Sequence, residues 1–126
     1  MIAIVDYGLG NVQAFKDVYN RLGVPVFIAR SSQDLVNVTK LILPGVGSFD
    51  YAIMKLDQSG MRKNIEDLVI DQKIPILGVC VGMQILARSS EEGRLKGLGW
   101  IDAIVKRFKS RLGEIFWKIK PKITPV

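Results

Sequence analysis

Residues 2–5 form a short unbroken apolar run that stops at Asp6-Tyr7-Gly8-Leu9-Gly10-Asn11. From there apolar residues recur at Val12, Phe15, Val18, Tyr19 and Leu22, the i, i+3, i+4 spacing of an amphipathic helix. Asn11 suits its N-cap and Gly23 the residue just past its end. Residues 25–29 read as a second strand, 31–34 as a short helical turn and 41–43 as a third strand stopped by Pro44. A glycine loop, Gly45-Val46-Gly47-Ser48-Phe49-Asp50, leads into helical patterns over 51–56 and 61–72. Residues 74–79 predict a fourth strand, with a helix beginning near Gly82 directly behind it. Loops around 91–93 and 97–99 precede a partly alternating fifth strand over 100–108.

Short strands that are apolar on both faces, alternating with amphipathic helices, predict a parallel sheet covered on both sides. The expected fold is α/β and flavodoxin-like. No internal repeat or low-complexity linker divides the chain, so residues 1–126 are expected to be one domain, with 109–126 an atypical basic tail. In such sheets ligands gather beyond the carboxyl ends of the strands. Three loops are expected there: 7–11, 44–49 and 80–82.

Composition narrows the function. With 48% hydrophobic and 24% charged residues the chain reads as globular. No apolar run approaches the ~20 residues that cross a bilayer, and no basic segment precedes an apolar one at the start, so a cytoplasmic protein without membrane contact is expected. One cysteine and no histidine leave little with which to hold zinc or haem, so no metal or cofactor is expected. The net charge of +6 lies wholly beyond residue 105, where seven basic residues face one acid. Without a nucleic-acid motif or stacking platform, that cluster reads as a solvated or partner-facing segment rather than a nucleic-acid site.

The chemistry concentrates at Gly78-Val79-Cys80-Val81-Gly82, the cysteine form of the G-x-S-x-G nucleophile elbow. Flanking glycines let the chain turn without Cβ clashes, and the N–H groups of the following helix suit negative charge at the central side chain. For an arbitrary lone cysteine, a buried core position would be the ordinary expectation. The usual histidine base is absent from these residues. At the first loop, Gly8 and Gly10 are followed by Gln13 where a dinucleotide fingerprint needs glycine, so a tight turn is expected there. The second loop, Leu43-Pro44-Gly45-Val46-Gly47, can turn a peptide to present an N–H. Together with the N–H of Val81 it would make an oxyanion hole for a thioester-forming reaction.

The opening Ile4-Val5-Asp6-Tyr7-Gly8-Leu9-Gly10-Asn11, the segment Leu43-Pro44-Gly45-Val46-Gly47-Ser48-Phe49, residues 75–84, and Glu92-Gly93 with Gly97-Leu98-Gly99-Trp100-Ile101-Asp102 stand in order along the chain. These blocks resemble the class I glutamine amidotransferases and, more narrowly, the glutaminase subunits of imidazole glycerol phosphate synthases. The resemblance implies that Cys80 attacks the carboxamide of glutamine, with Val46, Gly47 and Val81 around the oxyanion and Gly45, Gly47 and Gln84 against the substrate. It implies a (β/α)-barrel cyclase partner that receives ammonia for histidine biosynthesis, met by Tyr7, Gly8, Gly10 and Asn11. Family members are longer and carry their catalytic His and Glu in the final part of the domain. The ending from Lys109 onward therefore looks like a truncated or frame-shifted reading, and an inactive chain with an open sheet edge that self-associates is expected. A non-catalytic partner-binding module, or a paralogue serving a sugar-modifying synthase, fits the same residues.

Overall fold

The computed structural model describes residues 1–109 and 115–121. Four parallel strands make the main sheet: β1 (Ile2–Val5), β2 (Val26–Ala29), β3 (Lys40–Leu43) and β4 (Ile76–Gly78), in the order β2-β1-β3-β4. This is the flavodoxin-like order over its first four positions, so the α/β expectation holds. The chain leaves β1 toward β2, then crosses back to β3 on the other side, which sets the switch point between β1 and β3.

Both faces of the sheet are apolar for a reason visible in the strand register. Ala3, Val5, Leu41 and Leu43 point to one face, where they meet Phe49, Ala52, Ile53 and Leu56 of α2 (Phe49–Gln58) and Ile65 of α3 (Arg62–Glu66). The chain continues from α3 into a π-helical turn, Asp67–Asp71, which adds Leu68 to that core. Ile4, Val26 and Ile42 point to the other face, under Val12, Phe15 and Tyr19 of α1 (Val12–Arg21). Asn11 caps α1 as expected, its Oδ1 accepting from the Ala14 N–H at 3.1 Å. Gly23 closes the helix with φ +73°. Val18 and Leu22, expected on the buried stripe, remain exposed.

The fifth strand departs from expectation. The segment expected over 100–108 begins at Ala103 and does not join the main sheet. It forms β6 (Ala103–Lys109), between β5 (Ser89–Ser90, parallel) and β7 (Ile115–Pro121, antiparallel). The cause lies in residues 97–101, which fold back under the end of the elbow helix. Leu98 N–H donates to the Ile85 carbonyl at 2.8 Å and Ile101 N–H to the Leu86 carbonyl at 3.0 Å. That return delivers Ala103 beside Arg88, whose N–H bonds its carbonyl, rather than beside β4. Ala103 and Val105 are fully buried with Ala87, giving the expected partial alternation. Part of the expected basic tail is thus strand β7; residues 110–114 and 122–126 of that tail lie outside the described residues.

Candidate active site

The last ladder bond of β4 runs from Val79 N–H to the Leu43 carbonyl at 3.0 Å. At the next residue the chain reverses. Cys80 takes φ 55° and ψ −128°, and α4 (Val81–Gln84) starts immediately behind it. The N–H groups of Met83 and Gln84 return to the Cys80 carbonyl at 3.0 and 3.2 Å. Cys80 therefore stands at the crest of the turn, and it is exposed, which sets aside the core-cysteine reading. A non-glycine residue held at positive φ stores on the order of 1–3 kcal/mol.

The two flanking glycines are required by contact, not by torsion. A Cβ on Gly78 would lie 2.6 Å from the Met83 Cα, and one on Gly82 would fall on the Leu43 carbonyl oxygen. The elbow folds so tightly onto its own strand and onto β3 that neither position has room for a side chain. The strained torsion falls on Cys80 itself.

The second loop packs directly against the elbow. A Cβ on Gly45 would meet the Val81 side chain at 2.7 Å and the Gly82 nitrogen at 2.8 Å. Beyond it Val46 is 62% exposed and Gly47 takes φ +104°, so the loop turns outward just where main-chain N–H groups are wanted. Val81 is buried as the first residue of α4, where an N–H has no partner one turn back in its own helix. Gln84, half-buried, lies one turn behind Cys80.

The first loop closes the group. Tyr7 is only 4% exposed, and its hydroxyl donates to the Pro44 carbonyl at 2.6 Å. Burial pushes the Tyr7 phenol above its ordinary value, so it stays a neutral donor. By holding the Pro44 carbonyl, Tyr7 fixes the orientation of the peptide that joins Pro44 to Gly45. Its side chain thus faces the second loop. Gly8 and Asn11 are exposed and Gly10 is half-buried, its position for a Cβ lying 3.1 Å from the Pro44 Cβ. The three expected loops meet at the carboxyl ends of β1, β3 and β4.

Two carboxylates that motif reading left out tie this region together. Asp50 accepts from the backbone N–H groups of Arg94 (2.9 Å) and Leu95 (2.9 Å), and Glu92 Oε1 accepts from the Phe49 N–H at 3.1 Å. The loop over 91–95 is thereby fastened to the N-terminus of α2, where negative charge is favoured. The signal for Asp50 was its place in the first turn behind the capping Ser48; the signal for Glu92 was its glycine neighbour. A cleft of about 450 Å³ lies elsewhere, between Arg88, Lys96, Gly97 and Ile104, and none of its lining residues belongs to the three loops. Among the described residues no three acidic or cysteine side chains cluster as metal ligands.

A strained cysteine on an elbow, beside a glycine loop able to present N–H groups, is a nucleophile site on an α/β sheet. The family model for glutamine amidotransferase class-I matches residues 3–120, and the chain belongs to that family. Among curated proteins it is 56% identical over 110 residues to the imidazole glycerol phosphate synthase subunit HisH of Bdellovibrio bacteriovorus, covering 87% of this chain and 54% of that protein. It is 56% identical over 108 residues to the subunit of the same name from Leptospira interrogans, covering 86% and 53%. With HisH 2 of Methanococcus maripaludis it shares 47% over 109 residues, covering 86% and 54%. The chain spans about half the length of the curated relatives it matches. A crystal structure of a glutamine amidotransferase shares the fold at a TM-score of 0.68 and 20% identity, over 94% of this chain and 69% of that one.

Proposed function

We propose that this chain carries the nucleophile of a glutaminase that supplies ammonia to the cyclase subunit of an imidazole glycerol phosphate synthase, in cytoplasmic histidine biosynthesis. The observation that carries the reading is Cys80, exposed at positive φ on the elbow and flanked by the Pro44–Gly47 loop. The Cys80 sulfur adds to the carboxamide carbon of glutamine. The C–N bond then breaks, ammonia leaves with the thiol proton, and a γ-glutamyl thioester remains. Water cleaves the thioester to glutamate and restores the thiol. The N–H of Val81 and an N–H of Val46 or Gly47 hold the oxyanion, while Gly45, Gly47 and Gln84 contact the substrate. Gly8, Gly10 and Asn11 form the side turned to a (β/α)-barrel partner, and Tyr7 supports that loop from within.

No histidine is present among these 126 residues. A general base contributes typically 10²–10⁴-fold, so the chain alone is expected to release glutamate at least about 10²-fold more slowly than a HisH relative of full length. The missing base also favours a second reading, a non-catalytic module that docks on a synthase. The test is glutamate release by the purified chain, with and without the cyclase subunit of a relative, and with Cys80→Ala as control. Slow turnover that vanishes in Cys80→Ala supports the proposal. Turnover unchanged in Cys80→Ala refutes it. Binding to the cyclase with no Cys80-dependent chemistry selects the docking module, and cooperation only with a sugar-modifying synthase selects that paralogue.

A further inference from the structure

The main sheet stops one strand early, and it stops at the strand that carries the elbow. β4 pairs with β3 on one side, and no described strand pairs with the other. Pro75 accepts from the Leu41 N–H and Val79 donates to the Leu43 carbonyl, both at 3.0 Å. Because successive residues of a strand turn their backbone groups to alternate sides, Leu77 also faces β3, and Ile76 and Gly78 present theirs to the open edge. The side chains tell the same story. Leu77 stands in register with Ile42, on the face that α1 covers. Ile42 is 3% exposed, whereas Leu77 is 53% exposed, so the apolar layer on that face ends between two neighbouring strands.

Parallel sheets are covered on both faces, and an open edge with an exposed leucine invites a further strand. The strand order supplies the place: β2-β1-β3-β4 lacks only the fifth position of the flavodoxin-like order, beside β4. The segment from Ala103, which sequence periodicity would put there, is engaged in the second sheet. The relatives supply the material, since the match accounts for only 54% of the Bdellovibrio subunit and the shared fold for only 69% of the solved amidotransferase.

We infer that the open edge of β4, together with the face of Leu77, is an acceptor for a strand–helix unit drawn from the part of the domain that the longer relatives have and this match leaves out. The strand adds parallel to β4 through Ile76 and Gly78, and an apolar helix face covers Leu77. This inference rests on sheet geometry and holds whether or not Cys80 turns over glutamine.

The test uses the 126-residue chain and, as a separate polypeptide, the portion of the Bdellovibrio subunit that the match leaves out. Binding is measured by titration, and the contact is located by amide hydrogen exchange. The inference predicts saturable binding, slowed exchange at Ile76 and Gly78, and at least a tenfold loss of affinity in Leu77→Lys. Val36→Lys, at a site 68% exposed elsewhere on the chain, should bind unchanged. No binding, or protection that spares Ile76 and Gly78, overturns it. Concentration-dependent protection of the same amides in the chain alone also overturns it, because the occupant is then a second copy.

Discussion

Tyr7→Phe isolates the contact that fixes the second loop. The substitution keeps the buried ring and removes only the hydroxyl that donates to the Pro44 carbonyl at 2.6 Å. The carbonyl is left in a buried residue with no donor from position 7, a loss of about 1–3 kcal/mol. With a urea slope of about 2 kcal/mol per molar, the denaturation midpoint should fall by about 0.5–1.5 M at pH 7. The alkaline limb gives an independent check. Burial raises the folded phenol above the ordinary value of about 10, so beyond that pH the unfolded chain releases a proton that the folded chain retains. The unfolded state then binds fewer protons, and stability falls with rising pH by up to about 1.4 kcal/mol per unit. The contribution of Tyr7 is thus complete below the unfolded value and lost as pH climbs toward the folded one. The gap between wild type and Tyr7→Phe should therefore narrow above pH 10 in urea titrations from pH 8 to 11. Equal midpoints at pH 7, or a gap that stays constant across that range, would refute the assigned role of Tyr7.

Gly82→Ala should cost about 3 kcal/mol or more by thermal or urea unfolding, because the new Cβ meets the rigid Leu43 carbonyl. Cys80→Gly should be more stable than Cys80→Ala by about 1 kcal/mol, since only glycine relieves the positive φ; equal stabilities would show that the elbow stores no strain. Asp50→Ala should cost about 1–3 kcal/mol and open the loop over 91–95 to proteolysis, having removed the acceptor for the Arg94 and Leu95 N–H groups.

The first four strands, both caps of α1 and the elbow were legible because each is written locally. An apolar run between turn residues, Asn11 before a periodic segment, and glycines two residues either side of Cys80 need no distant information. The second sheet was not legible for the opposite reason. Ser89 and Ser90 carry no apolar signature of a strand, and the diversion of β6 depends on backbone bonds from Leu98 and Ile101 to residues of the preceding turns. Tyr7 sits between Asp6 and Gly8 and reads as part of a surface loop. Its partner Pro44 is 37 positions away, and only the assembled sheet brings the two together. The elbow glycines were identified correctly, but the strain at Cys80 emerges only from the backbone torsions.

The central claim is that Cys80 is a glutamine-directed nucleophile. The most direct measurement is incubation of the chain with a glutamine-analogue electrophile, followed by peptide mass spectrometry, with and without excess glutamine. The account predicts a single adduct at Cys80, suppressed by glutamine and not by glutamate's shorter homologue aspartate. No adduct at Cys80, or labelling that glutamine leaves untouched, would contradict it.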